Sequence, residues 1–142
     1  MEAIHEISGI EPFLLEGEGY FRVAQNSHHR PLIFTPEIVH SVLCMALEKF
    51  IMAILMRTGN LPDNHTFADL VHALKSEIPV SAEIEAALLA LDRESDLCSM
   101  EIRNVRIPGP ERMRELVAIG ARLQEAAREA VRGENRFPLN LE

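Results

Sequence analysis

Apolar residues recur at intervals of three and four along residues 35–59, the spacing that lines one side of an α-helix. Helix boundary signals stand at both ends of this segment. Thr35 can accept a hydrogen bond from a free N–H of the first turn, and Pro36 follows it. Gly59 can take the left-handed conformation that closes a last turn. Three methionines widen the apolar stripe: Met45, Met52 and Met56. The pattern predicts a central helix that is buried on most of its circumference.

Two further helices follow it. Thr66 and Asp69 form a capping signal for a short helix of about twelve residues that stops before Pro79 and folds back antiparallel to the first. A longer helix is predicted over residues 81–107, and a kink or break near residues 92–95 stays open because charged residues interrupt its apolar side. A Pro-Gly-Pro sequence ends it, since proline cannot continue a helix.

The last predicted helix begins at Pro110. Its outer face carries two i,i+3 pairs, Glu125 with Arg128 and Glu129 with Arg132, each worth about 0.2–0.5 kcal/mol. Its buried stripe is expected to consist of Met113, Leu116, Val117, Gly120, Leu123, Ala127 and Val131.

Residues 1–34 allow two interpretations. The first is a frayed helix or arm, with apolar residues at helical spacing that Gly17 and Gly19 weaken by about 1 kcal/mol each. The second is a hairpin in which residues 20–24 and 32–34 flank a polar turn. We favour the frayed helix.

Together these segments predict an all-α fold, an antiparallel bundle of four main helices plus a possible N-terminal helix. A chain of 142 residues fits one domain, residues 1–142, with an irregular tail at 135–142. Aromatic residues make up only 5% of the chain, so the core must consist of aliphatic side chains and methionine.

The net charge of −8 argues against unassisted nucleic-acid binding, because phosphate contacts need Lys and Arg. The charge is uneven: residues 1–100 carry six basic and fifteen acidic side chains, whereas residues 101–142 carry eight arginines and seven acidic side chains. The C-terminal part could therefore present a local basic face.

Three features indicate a cytoplasmic protein. Cys44 and Cys98 lie on apolar helix faces, which favours buried free thiols over a disulfide and suits a reducing compartment. Glu48 and Lys49 interrupt the most apolar helix, so a core helix is favoured over a membrane span. The N-terminus lacks the basic region of a signal peptide. We expect no membrane partner.

No complete catalytic motif occurs, whether a dinucleotide fingerprint, a phosphate-binding P-loop or a zinc-protease motif. His28 and His29 are adjacent in a polar loop, but no Cys or carboxylate cluster completes a metal site, so neither a metal nor a cofactor is predicted. His40 adjoins the central apolar stripe and is expected to be an imidazole at the core edge with one satisfied hydrogen bond.

Two stretches resemble the HEPN family of small helical bundles. The first, ALEKFIMAILMRTGNLPDNHTFADLVHAL, has the family's long helix, glycine, short loop and His-led helix, with His65 and Leu70 at the matching positions. The second, CSMEIRNVR, resembles the end of the helix that bears the family's R-x4–6-H motif, with Arg103 and Asn104 matching its opening. The resemblance covers roughly residues 36–131 and implies an HEPN-like fold.

RNases of that family pair the Arg and His of two protomers and cleave RNA without a metal. In this chain the motif's His would stand at position 108, 109 or 110, which are Pro108, Gly109 and Pro110, and His72 is the last histidine. The resemblance therefore implies a homodimer but no catalytic residue and no nuclease activity.

The resemblance makes Arg103, Asn104 and Arg106 candidates for binding an anion or nucleotide. The alternative is that these side chains only complement the end of a helix by bonding its last carbonyls. His65 is a weaker candidate, since a His at this position more often serves the helix start.

We expect a non-catalytic HEPN-like module that binds a nucleotide, RNA or a partner protein. Members of the family often act in toxin–antitoxin or defence systems beside a nucleotidyltransferase-type protein, so the resemblance implies a partner of that kind. Two alternatives stay open: a metal-independent RNase with a displaced base such as His65, and a bundle whose Met-rich interior holds a small ligand.

Overall fold

The apolar segments that predict helices are helical wherever the structure describes them. The structure is a computed structural model, and it describes residues 2–94, 109–133 and Leu139, with side chains from residue 9 onward. The predicted all-α bundle is confirmed, and no strand occurs among these residues. The helices are α1 (Glu2–Asn26), α2 (Pro36–Thr58), α3 (Phe67–Glu77), α4 (Ala82–Glu94) and α5 (Pro110–Arg132), with a short 3₁₀ turn at Ser27–His29.

Residues 2–26 form one continuous helix, so the alternative hairpin is wrong and the helical interpretation is confirmed. Gly17 lies where α1 packs closely on α2: a Cβ added there would stand 2.7 Å from Cε1 of Phe50. The glycine that weakens α1 as an isolated helix is thus what allows α1 to reach the core.

The predicted boundaries of α2 are confirmed. Thr35 Oγ1 accepts a hydrogen bond from the N–H of Ile38, and Gly59 has a φ of +71°. The three methionines do not widen the buried stripe equally, because Met52 is buried whereas Met45 is 41% exposed. The core-facing residues of α2 that have no exposed surface are Leu43, Ala46, Leu47, Phe50, Ile51, Ala53, Ile54 and Leu55.

The length and hydropathy of α2 also satisfy the criteria for a membrane span. Of its most apolar window, however, 61% is buried against the rest of the fold. Burial of this kind is the property of a core helix, so the apolar character of α2 has a sufficient explanation in packing.

Helices α1, α2 and α5 form the main body. Phe21 of α1 packs edge-to-face on Phe50 of α2, with ring centroids 5.7 Å apart, and it also lies against Gly120 of α5. Arg57, near the end of α2, donates a hydrogen bond to the carbonyl of Gly133 just after α5. Because their C-terminal ends meet, α2 and α5 run in the same direction.

Helix α3 does not fold back antiparallel to α2, contrary to expectation. His65, just before α3, lies 3.7 Å from Glu48 in the middle of α2, whereas Asn60, just after α2, bonds Ser76 and Glu77 at the end of α3. The loop between the two helices therefore carries the chain back from the end of α2 to its middle, and α3 then runs in the same general direction as α2.

Helix α4 is antiparallel to α3. The carboxylate of Asp92 accepts hydrogen bonds from the N–H groups of Phe67 and Ala68, at 2.8 and 2.9 Å, and Lys75 pairs with Glu85 near the other end. The predicted helix over residues 81–107 is confirmed as far as Glu94. Its remaining predicted apolar positions lie outside the described residues: Leu97, Cys98, Ile102 and Val105.

The polar face of α5 differs from the prediction. Arg128 pairs with Glu18 of α1 instead of Glu125, and Glu125 pairs with Arg122. Glu129 is only 9% exposed, so it does not lie on an open outer face. Spacing along one helix indicates which local pairs can form, but a carboxylate on a neighbouring helix competes for the same guanidinium.

Candidate functional site

The residues that the sequence marks as anion-binding candidates, Arg103, Asn104 and Arg106, lie outside the described residues. The described chain stops at Glu94 and resumes at Gly109, immediately before α5. The side chains at these two ends converge, because Arg112 Nε of α5 lies 3.3 Å from Glu94 Oε1 of α4.

This ion pair belongs to a polar cluster at the junction of α2, α4 and α5. We call it the junction cluster; it consists of His40, Cys44, Glu94, Arg112 and Glu115. The guanidinium of Arg112 binds Glu115 and donates a hydrogen bond of 2.6 Å to the carbonyl of Ala87. One cation thus binds α4 through both a side chain and a backbone carbonyl, which holds the first turn of α5 in place.

His40 is the most deeply buried polar member of the junction cluster, at 4% exposure. Its Nε2 lies 3.4 Å from Glu94 Oε2 and 3.8 Å from Cys44 Sγ. His40 is therefore buried in the core and not at its edge as expected, whereas the expected single hydrogen bond is present as the contact with Cys44 Sγ. Glu94 Oε2 is buried and has no hydrogen-bond partner within the described part of the chain.

Burial determines how these groups titrate. Removal from water lowers the pKa of His40 below its ordinary value, and Glu94 opposes the shift without reversing it. Burial raises the pKa of the Cys44 thiol to about 12, with a further contribution from the negative charge of Glu94. The expected buried free thiol is confirmed for Cys44, and Cys98 lies outside the described residues.

These properties decide what the junction cluster can do. A cysteine nucleophile must be a thiolate in a partly exposed, electropositive setting, and Cys44 is a protonated, buried thiol. His40 has little surface through which a substrate could reach it. The described arrangement therefore joins three helices and offers no activated nucleophile.

The exposed histidines lie elsewhere. The side chain of His65 is 41% exposed and its Nδ1 faces Glu48 Oε1 at 3.7 Å, so the weaker candidate is accessible and beside a carboxylate. His28 and His29 lie in the 3₁₀ turn after α1, with ring centroids 4.0 Å apart. Within the described ranges, no group of three or more His, Cys, Asp or Glu side chains could hold a metal ion.

A surface groove lies where α1 ends and the chain turns towards α2. We call it the α1 groove; its volume is about 370 Å³ and it is lined by Gly19, Arg22, Val23, Asn26, His29, Arg30 and Phe34. No sequence motif marks its two arginines. The available signal was weak: Arg22 and Arg30 flank a stretch without a carboxylate in an otherwise acidic half of the chain.

Comparison with known proteins identifies no similar protein. No family model matches the chain, and neither a curated protein nor a solved structure matches it.

Proposed function

We propose that this protein is a non-catalytic, HEPN-like helical module that works as a homodimer. It binds a nucleotide, RNA or a partner protein through the segment that carries Arg103, Asn104 and Arg106. A nucleotidyltransferase-type protein of a toxin–antitoxin or defence system is the partner that the resemblance implies, and the cytoplasm is the compartment.

The proposal that the module is non-catalytic is supported by the protonation states of His40 and Cys44. An imidazole and a thiol 3.8 Å apart are the starting arrangement for covalent catalysis. Here burial raises the pKa of the thiol to about 12 and lowers the pKa of the imidazole, so neither takes its reactive charged form near neutral pH. The pair supports packing of α2 against its neighbours.

The ion pair between Glu94 and Arg112 supports the proposal that the segment carrying Arg103 binds a ligand. It joins Glu94 of α4 to the first turn of α5, and Arg103 lies between these two positions in the sequence. A link between two positions reduces the conformational entropy that the segment between them loses when it binds a ligand. Arginine then suits phosphate recognition because its planar guanidinium can make two parallel hydrogen bonds.

The test uses purified protein and a labelled RNA oligonucleotide in EDTA. We expect no cleavage, saturable binding by fluorescence anisotropy, and binding weakened about tenfold or more in Arg103→Ala, as for loss of a charge-assisted hydrogen bond. Arg114→Ala is the matched control, because Arg114 is exposed on α5 and has no ion pair within the described residues. Equal binding by the two variants would remove Arg103 from the proposed site.

The dimer needs its own measurement. We expect light scattering coupled to size-exclusion chromatography to give twice the mass of 16.0 kDa across a tenfold dilution. A monomer at every concentration would contradict the dimer, while leaving the ligand-binding result to be judged separately.

A second candidate function, an RNase with a displaced base, has one observation in its favour. His65 is accessible, and the Glu48 carboxylate lies 3.7 Å from its Nδ1, close enough to stabilise a protonated imidazole although beyond hydrogen-bond distance. Cleavage of RNA in EDTA that disappears in His65→Ala, but persists in His72→Ala, would favour this function over the binding module. His72 is the control because it is an exposed histidine on α3.

A further inference from the structure

We propose that the α1 groove is a binding site for a small organic phosphate, namely a phosphate monoester that carries a planar apolar group and has about the size of a mononucleotide. The proposal concerns a different surface from the segment that carries Arg103. It therefore does not depend on the function proposed above.

Charge is the first argument. Arg22 and Arg30 both line the groove, and within the described part of the chain neither side chain has an ion pair or a hydrogen-bond partner. No carboxylate lines the groove, although acidic residues outnumber basic ones by 22 to 14 in the whole chain. Two arginine side chains that line one groove supply the positive charge that a doubly charged anion needs, and a guanidinium can bind phosphate through two hydrogen bonds.

The end of a helix carries partial negative charge, which would by itself disfavour an anion. Local donors bond two carbonyls near the end of α1 and one in the 3₁₀ turn that follows it. The Ser27 hydroxyl donates to the carbonyl of Ala24 at 2.8 Å, His28 Nδ1 donates to that of Gln25 at 3.1 Å, and the N–H of Arg30 donates to that of Ser27 at 3.0 Å. The guanidinium groups are therefore not needed to cap the helix and remain available to a ligand.

The uncharged residues of the groove indicate which organic group the phosphate ligand carries. Val23 and Phe34 supply apolar surface, and Asn26 supplies an amide that can both donate and accept hydrogen bonds. A volume of about 370 Å³ lies at the lower end of the range for small-molecule sites. Such a lining suits a flat ring bearing polar edge atoms better than a bare inorganic anion.

Gly19 is a position at which a substitution can test the groove independently of the arginines. It lines the groove, and nothing lies within 4 Å of the position that its Cβ would occupy. A Cβ there meets no protein atom, so a side chain can be added at this point of the groove wall without a clash at its first carbon. Replacing a glycine inside a helix also favours the helix intrinsically.

The experiment is isothermal titration calorimetry at low ionic strength with three probes: adenosine 5′-monophosphate, adenosine and inorganic phosphate. We expect the monophosphate to bind saturably and at least tenfold more tightly than either fragment. Arg22→Gln and Arg30→Gln should each weaken its binding by about tenfold or more. Arg114→Gln, which removes an exposed arginine of α5, should leave binding unchanged, and Gly19→Leu should remove the binding that occurs in the groove.

Several results would overturn the proposal. Absence of saturable binding to the wild-type protein would do so, as would equal affinity in Arg22→Gln and Arg114→Gln. Adenosine binding as tightly as the monophosphate would refute the phosphate site, and inorganic phosphate binding as tightly would refute the ring site. Thermal melts of each variant distinguish loss of the site from loss of the fold. The Arg103→Ala variant should bind the monophosphate in this groove like wild type, which separates failure here from failure of the proposed function.

Discussion

At the scale of single residues, glycines determine where the helices touch. A Cβ on Gly120 would stand 2.5 Å from Cε1 of Phe21, whose side chain is only 1% exposed. Gly17 has the same relation to Phe50. Each glycine lowers the intrinsic stability of its helix, but it allows the helix backbone to pack directly on an aromatic ring of another helix.

We expect Gly120→Ala to destabilise the protein by about 1–3 kcal/mol, because a new methyl group would force the buried ring of Phe21, which packs on Phe50, to shift. The gain in helix propensity, up to about 1 kcal/mol, is included in that net loss. Urea unfolding followed by circular dichroism measures the change.

Gly19→Ala is the matched control, since its Cβ would meet nothing within 4 Å. It should leave stability unchanged or raise it by up to about 1 kcal/mol. If the two variants lose stability equally, crowding against Phe21 is not the reason.

At the scale of elements, the start of α3 shows how a short helix is stabilised by a neighbour. Its first two N–H groups, of Phe67 and Ala68, donate to the Asp92 carboxylate of α4. The next, of Asp69, donates to Thr66 Oγ1, as the capping signal predicts. The N–H of Leu70 then donates to the carbonyl of Thr66. The Leu70 bond is the first regular bond of the helix, so three of the N–H groups that a helix start leaves free, those of Phe67, Ala68 and Asp69, are bonded to side chains.

Asp92→Ala should cost about 1–2 kcal/mol of stability, because it leaves two N–H groups without a partner and removes a negative charge from a helix start. Asp63→Ala, a change at an exposed loop aspartate, should fall within about 0.5 kcal/mol of wild type. Chemical denaturation of both variants provides the measurement. A loss in Asp92→Ala no larger than in Asp63→Ala would show that the cap contributes nothing.

At the scale of the whole molecule, local signals predict the elements better than their arrangement. Thr35, Gly59 and the Thr66 capping signal locate helix boundaries correctly, because each acts within one turn. The direction of α3 was wrong, because it depends on the path of the loop that follows Asn60. The junction cluster was missed because its groups come from three helices, and no spacing along the chain indicates that they meet.

The junction cluster also affects how stability depends on pH. Burial lowers the pKa of His40 in the folded protein, so the unfolded chain takes up that proton first as the pH falls. Its contribution therefore reduces the free energy of unfolding as the pH falls below the ordinary histidine value of about 6.5. The groups that face His40 are Glu94, Arg112 and Cys44.

We expect His40→Gln to lose less stability than wild type between about pH 7.5 and pH 5.5, measured by urea unfolding at each pH. His72→Gln, at an exposed histidine, should keep the wild-type dependence. An unchanged pH dependence in His40→Gln would mean that His40 takes up its proton at the same pH in the folded and unfolded chains.

The predicted irregular tail has one described residue, and it is firmly attached. Leu139 is 3% exposed; its N–H donates to the carbonyl of Pro79 at 2.7 Å, and its carbonyl accepts from Ser81 at 2.9 Å in a parallel bridge opposite Val80. The amide hydrogens of Leu139 and Ser81 should consequently exchange with deuterated water slowly and at matching rates, since releasing one bond releases the other. A chain from which residue 139 is removed would expose this backbone edge, to which an extended peptide of another molecule could add.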